Sequence, residues 1–323
     1  MYAGYLRITL FLSLLLAGCQ VVNDLQPAGS ELPSSVVQVL KAKFPAYDEI
    51  KVIALEKDRV WNALMKVDTS RYDIILNRWE ILSEYRLANR REAVPASYEG
   101  LLKNFYFGGG ALADFRIVPE YNPSSRSWDY AAQYLLDGKH YLMRWRDVGT
   151  SDEYHIYLYP DVDAAYMTRR IEDLPDTIQK SINRVLIANG LDPDASLNKE
   201  RFRTWVYTKN NAARHYEVHT ASQRIEMNPA GRVLYFFSVN LYDPVKRDGL
   251  PGPVLDYLQN DPLTARYTSR YAVFSGQRYT EGSSAVYWIH QADSRQGYTE
   301  NRTLYMDKNG DFLWAVYNGI VHD

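Results

Sequence analysis

Leu32-Pro33-Ser34-Ser35-Val36-Val37-Gln38-Val39-Leu40-Lys41-Ala42-Lys43-Phe44-Pro45 reads as a short helix opened by a Leu-Pro pair. Proline suits the first helical turn, where its missing N–H has no partner to lose. The same opening recurs at Val94-Pro95, Leu174-Pro175 and Leu250-Pro251, with spacings of 62, 80 and 76 residues between successive prolines. Three residues after the prolines stand Val36, Tyr98, Ile178 and Val254, and seven after them stand Leu40, Leu102, Ile182 and Leu258. All eight are apolar or aromatic, and a spacing of four places each pair one turn apart on one helix face. Each expected helix stops at a breaker: Pro45, Gly108 to Gly110, Gly190, and Asp261-Pro262. The recurrence predicts a repeated architecture.

Apolar runs of strand length follow each opener. After the first come Ile50 to Leu55, Val60 to Val67, Tyr72 to Leu76 and Ile81 to Leu87; after the second, Phe115 to Val118, Tyr130 to Leu136, Tyr141 to Trp145, Tyr154 to Tyr159 and Ala165 to Arg169. The third is followed by Phe202 to Tyr207, His215 to Thr220, Arg224 to Met227 and Val233 to Val239, and the fourth by Tyr267 to Phe274, Ala285 to His290, Thr303 to Met306 and Phe312 to Tyr317. Asn228-Pro229-Ala230-Gly231 and Asp307-Lys308-Asn309-Gly310 are hairpin turns, with Asn77-Arg78 and Pro160-Asp161 in the equivalent places. The expected fold class is α+β: about four repeated units, each one helix packed on a four-stranded antiparallel meander sheet. The expected boundaries are a signal peptide over 1–18, a tether over 19–30, and units over 31–92, 93–172, 173–248 and 249–323.

The Leu-Pro openers, the apolar pair that follows them and the two hairpins together resemble the PepSY-like, β-lactamase-inhibitor-like repeat family of bacterial envelope proteins. The resemblance covers the chain from about Glu31 onward. It implies concave sheets that bind partners and no catalysis by the repeat itself. The Gly108-Gly109-Gly110 insert, the extra aromatic strand of the second unit and its Val-Pro opener depart from that pattern.

The N-terminus is read separately from the fold. Arg7 precedes a short apolar run, Ile8 to Leu16, that ends in Leu16-Ala17-Gly18-Cys19. This resembles a bacterial lipobox, with cleavage before Cys19 and a diacylglycerol on its thiol. Cys19 is the single cysteine, so its use for lipid leaves no disulfide and no thiol chemistry. Gln20, where the enterobacterial rule for inner-membrane retention has Asp, points to the outer membrane. The expected location is the bacterial cell envelope, lipid-anchored in the membrane.

The 323 residues are 46% hydrophobic with a net charge of −2, which argues against a nucleic-acid partner that would need a basic surface. The chain holds 27 Tyr, a residue suited to half-wet strand faces.

Candidate chemistry is sparse. His215, Glu217 and His219 alternate, so a strand would project all three from one face and offer a zinc-like donor set. A plain polar strand face is the simpler reading, and His140 falls in the place matching His215. Asp307 to Asp311 has the first oxygen positions of a calcium loop without its later ligands, and reads as a hairpin turn. Gly108-Gly109-Gly110 lacks the Lys-Ser/Thr of a phosphate loop, and no nucleophile elbow is present. No catalytic residue and no cofactor is expected. What remains is aromatic: Tyr141, Trp145, Tyr157, Trp205, Tyr216, Tyr287, Trp288 and Trp314 are the candidate binding residues, on strands whose alternation sends some of them away from the helix. Burial of those faces against a neighbouring unit is the competing reading. The expected function is non-catalytic binding of a protein or peptide, inhibition of an envelope enzyme being one form. Cell-surface carbohydrate binding is the alternative, and a metal-dependent enzyme at His215, Glu217 and His219 the second.

Overall fold

The computed structural model describes residues 33–321 except 90–92, 94–99, 101, 119–128, 148–153, 161–164, 198–201, 209–213, 221–222, 239–242, 246, 268–269, 279–283 and 308. Cys19, the signal peptide, the tether and Val94-Pro95 lie outside the described residues. Three helices begin directly after the remaining openers: α1 (Ser34–Lys43) after Pro33, α2 (Asp176–Ala188) after Pro175 and α4 (Gly252–Asn260) after Pro251. A short helix, α3 (Pro193–Ser196), follows α2. The apolar pairs Val36/Leu40, Ile178/Ile182 and Val254/Leu258 are all buried, each at 1% exposure or less. Burying such a side chain contributes roughly 1.5–3 kcal/mol, which is what holds these short helices on the sheet.

Eighteen strands carry the rest of the described residues. They are β1 (Glu49–Glu56), β2 (Val60–Val67), β3 (Ser70–Leu76), β4 (Ile81–Leu87), β5 (Ala111–Val118), β6 (Asp129–Leu136), β7 (Lys139–Asp147), β8 (Tyr154–Pro160) and β9 (Tyr166–Thr168). After α2 and α3 come β10 (Arg203–Thr208), β11 (Arg214–His219), β12 (Gln223–Met227), β13 (Val233–Ser238), β14 (Asp243–Val245), β15 (Arg270–Arg278), β16 (Ser284–Arg295), β17 (Tyr298–Asp307) and β18 (Phe312–Val321).

The expected fold class, four repeated units each with its own helix and four-stranded sheet, is corrected by this pairing. The molecule is sheet-dominated, with four α-helices among the described residues. Its strands form two antiparallel runs, β1 to β8 and β9 to β18, and the ladder crosses the expected unit boundaries. Strand β4 pairs with β5 through Arg86↔Ile117 and Leu87↔Arg116. Strand β8 pairs with β18 from Tyr154↔Val321 to Leu158↔Tyr317. Strand β13 meets β15, beside which β14 also lies. Strand β9, expected to close the second unit, pairs instead with β10 and returns beside β4. The physical reason is the cost of an open edge: four isolated meanders would expose eight rows of unpaired N–H and C=O groups, and joining them edge to edge satisfies most of these rows.

The cores follow the same sharing. One core packs Val36, Leu40 and Phe44 on Trp61, Ala63, Met65, Ile74 and Leu76. A second sets α2 against β9 to β13 but also takes in Val60 and Ile75 from the first meander. The third spans both halves, joining Val254 and Leu258 of α4 to Tyr134, Met143 and Ile156 as well as Ile289, Leu304 and Tyr317. Polar ties reinforce the first contact between distant segments. The Arg59 guanidinium donates to the Glu172 and Leu174 carbonyls and to Asp176, while Arg214 donates to the Leu55 carbonyl and to Glu56.

Three hairpins share one local device. The Asn77 Oδ1 accepts from the Trp79 and Glu80 amides, the Asn228 Oδ1 from the Arg232 amide, and the Asp307 Oδ1 from the Asn309 and Asp311 amides. Asp307 is thus occupied by its own turn, as a hairpin reading requires. Gly231 and Gly310 close two of these turns at φ +72° and +81°. Each also lies on its helix: a Cβ at Gly231 would come within 2.5 Å of Ser181 Oγ, and one at Gly310 within 2.6 Å of the Pro253 carbonyl oxygen.

The glycine insert of the second segment is also structural. The Tyr134 hydroxyl donates to the Phe107 carbonyl at 2.6 Å and accepts from the Gly110 amide at 2.7 Å. Burial pushes that hydroxyl's pKa up to about 12. The insert presses Phe105 and Phe107, stacked at 5.0 Å, toward Tyr298 and Tyr317, and the Tyr106 amide donates to Glu300.

Candidate sheet-face interaction site

Each strand has a face turned to the helices and a face turned away. Residues paired across an antiparallel ladder project to the same side. Trp145, Ile156 and Met143 belong to the helix-side core, so their neighbours Arg144, Tyr157 and Leu142 occupy the helix-free side. Followed in register, one row runs Arg116–Ala131–Arg144–Tyr157–Asn318–Asn301–Ala292 across β5, β6, β7, β8, β18, β17 and β16. It crosses the β8–β18 junction at Tyr157↔Asn318. The seam that overturned the expectation of separate units therefore also creates the continuous polar and aromatic face.

Tyr157 is half-buried at the centre of this row. Its hydroxyl lies 3.2 Å from His155 Nδ1, and its ring runs parallel to Tyr159 with centroids 6.2 Å apart. Tyr159 is 38% exposed, and Leu135 on the same face is 42% exposed. The Arg116 guanidinium sits 5.3 Å from the Tyr85 ring, which extends the face towards β4. Aromatic rings with arginine and amide groups between them are the composition of an interface centre.

The helix-free side of β10 to β12 carries a denser network. As the alternation predicted, His215, Glu217 and His219 share a face of β11. The Glu217 carboxylate receives the Tyr207 hydroxyl at 3.0 Å, the Arg224 guanidinium at 2.8 Å and the His219 Nε2 at 2.5 Å. Burial alone would raise its pKa, but the Arg224 charge and the His219 hydrogen bond outweigh that and hold it well below the usual carboxylate range. His215 turns to a different carboxylate, with Nδ1 2.7 Å from Glu226 Oε1, and stacks on Tyr207. The donor set fits a metal poorly, because a guanidinium occupies the shared carboxylate and the two imidazoles engage different acids. Among the described residues, no group of three or more His, Cys, Asp or Glu side chains is arranged to hold a metal ion. Arg224 also hydrogen-bonds Tyr305 of β17, so the helix-free sides of β12 and β17 meet across the turn from β13 to β15.

The other predicted residues divide by face. Tyr141, Trp145, Tyr216 and Trp288 are 2–6% exposed. Tyr141, Trp145 and Tyr216 are core side chains on the helix side, Trp145 stacking on Tyr130 and Tyr216 donating its hydroxyl to Glu56 at 2.7 Å. Trp288 packs edge-on against Tyr305. Tyr287 is half-buried against the shared core. Trp205 is 41% exposed, opposite Met167 and Glu217. Trp314 lies in β18 opposite Tyr305, its side chain outside the described residues. Of the seven whose side chains are described, the exposed Trp205 and the half-buried Tyr157 are thus the two that combine the helix-free side with access to solvent. Sequence reasoning missed Arg116, Asn301 and Asn318, which join Arg144 and Tyr157 in one row only through the cross-boundary register.

No protein-family model matches the chain, and no curated protein does either. Among the described residues, no helix is long and apolar enough to cross a membrane.

Proposed function

We propose that the chain is a non-catalytic binding protein of the bacterial envelope, lipid-anchored at Cys19, that engages a protein or peptide partner through the helix-free sheet face centred on Tyr157. The observation that carries the reading is the in-register row from Arg116 to Ala292, which continues over seven strands on the side opposite the core that holds α4. Tyrosine and arginine are among the residue types enriched at the positions that dominate interface energetics. The resemblance to PepSY-like repeats supports the same reading, with inhibition of an envelope enzyme as one form. The outer membrane is the proposed location, on the strength of Gln20.

The test is capture from solubilised envelopes with immobilised Gln20–Asp323, beside a Tyr157→Ala/Tyr159→Ala chain of matched thermal stability. The reading expects a discrete envelope protein retained by the first and lost by the second. No enrichment, or enrichment indifferent to the two tyrosines, rejects it. Fractionation of Cys19→Ser tests the anchor: the substituted chain is expected to leave the membrane fraction. A second reading, glycan binding on the same face, draws on the parallel Tyr157 and Tyr159 rings. A glycan array with the same double variant separates the two.

A further inference from the structure

The sheet side that carries Tyr157 extends beyond Arg116, and its charge is one-sided. From Arg116 the register runs back to Leu87 of β4, Arg71 of β3 and Lys66 of β2. The residues beside these face the cores: Met65, Val67 and Tyr72 pack with α1, and Ala88 and Phe115 pack on the shared core. Alternation therefore sends Lys66, Arg71, Leu87 and Arg116 to the same side as Arg144 and Tyr157. At about 4.8 Å per strand, the five steps from Lys66 in β2 to Arg144 in β7 span roughly 24 Å.

Lys66 and Arg71 supply the second observation. They stand directly opposite one another across the β2–β3 ladder, Arg71 exposed and Lys66 half-buried. Like charges in that relation destabilise a sheet. No acid among the described residues relieves them. Glu49 of β1 stands opposite Lys66 without forming an ion pair with it, and Asp73 takes the Asn62 amide instead of Arg71. Arg116 lies over the Tyr85 ring. A local arrangement that costs stability is expected where function uses it.

The composition of the face narrows the class of partner. At in-register positions with described side chains, β1 to β8 present Lys51, Lys66, Arg71, Arg116 and Arg144 on this side, against Glu49 and Asp73. The whole chain has a net charge of −2, so the excess is local and its complement is an anion. Leu64 and Leu87 lie among these cations at 38% and 37% exposure. A phosphate backbone or a layer of lipid headgroups presents only charge to such positions, whereas a peptide alternates carboxylates with apolar side chains. We infer that an acidic, extended segment of a protein partner docks along this row, with carboxylates on Lys66, Arg71 and Arg116 and apolar side chains on Leu64 and Leu87. The inference rests on the Tyr157 face being the binding surface and adds the chemistry of what binds there.

The experiment is fluorescence anisotropy on the full chain in a neutral detergent, with a labelled peptide of Glu-Glu-Leu repeats long enough to span the row. A Lys-Lys-Leu peptide, a single-stranded oligonucleotide and micelles doped with phosphatidylglycerol serve as rivals. The acidic peptide is expected to bind, less tightly as salt is added. Lys66→Thr/Arg71→Thr should weaken it about tenfold, while Lys57→Thr/Arg78→Thr, two exposed cations at turns outside the row, should leave it unchanged. Because Lys66 and Arg71 repel, their removal should not lower the melting temperature, which separates lost binding from lost folding. No binding of the acidic peptide, equal losses in the two double variants, or tighter binding of any rival overturns the inference. Envelope capture that is lost with Tyr157→Ala/Tyr159→Ala but kept by Lys66→Thr/Arg71→Thr would reject the acidic segment and leave the face standing; failure of capture by every chain would reject the face itself.

Discussion

Replacing Gly310 by alanine tests how the hairpins are seated on their helices. Gly310 has φ +81°, and its missing Cβ would lie 2.6 Å from the Pro253 carbonyl oxygen, in the first turn of α4. Two costs add. An L-residue in the left-handed region costs about 1–2 kcal/mol. The overlap is with backbone, not with the end of a flexible side chain, so turn and helix must separate, at a further cost of about 1–3 kcal/mol. Gly138 provides the control, with φ +72° and nothing within 4 Å of its would-be Cβ. Gly138→Ala should therefore show the backbone cost alone, about 1–2 kcal/mol. Gly231→Ala should fall with Gly310→Ala, since its Cβ would meet both Ser181 Oγ and the Thr177 carbonyl of α2. Urea denaturation of the three variants, followed by far-UV circular dichroism, gives the comparison. Equal losses at Gly138, Gly231 and Gly310 would refute the seating of hairpin on helix, leaving only the turn conformation.

Two further predictions concern buried charge. The folded-state pKa of Glu217 is depressed, so its contribution to stability is fully present above the ordinary carboxylate value of 4.5 and is lost as pH falls below it towards the folded value. Glu217→Gln should flatten the acid limb of a stability-against-pH curve; an unchanged acid limb would contradict the Arg224 and His219 pairing. Arg302, at 3% exposure, is paired with Asp261, and Arg302→Met leaves that carboxylate facing the shared core. Breaking a buried pair costs about 3–5 kcal/mol, and the lower end applies because Thr264 and Leu263 still donate to Asp261. Adding Asp261→Asn should recover part of the loss in chemical denaturation, and failure to recover any would place the cost elsewhere.

What was legible in the sequence was local. Pro33, Pro175 and Pro251 mark helix starts because proline fits a first turn, and Val60 to Val67 and Ile81 to Leu87 read as strands with their observed limits. The Asn and Asp turns were equally plain, because side-chain capping of a turn leaves a residue signature. Edge pairing leaves none: the bonds that join β8 to β18 are backbone bonds, which any sequence can make. Without that junction, neither the shared core nor the Arg116-to-Ala292 row could be assembled. Alternation showed that Tyr141, Trp145 and Tyr216 share strands with polar neighbours, but not that their side faces the helices. The ends of β16 and β17 were missed for another reason. Gln291, Asp293, Glu300 and Arg302 look like loop residues, yet all four are at most 6% exposed. Asp293 and Glu300 are reached by the Tyr106 and Tyr267 hydroxyls, so tertiary partners make a polar segment into a buried strand.

The helix-free face is tested most directly by hydrogen–deuterium exchange of the chain with and without its captured envelope partner. Protection is expected in peptides from β7, β8, β17 and β18, which carry Arg144, Tyr157, Asn301 and Asn318, with α1, α2 and α4 unchanged. Protection confined to the helices would contradict the account.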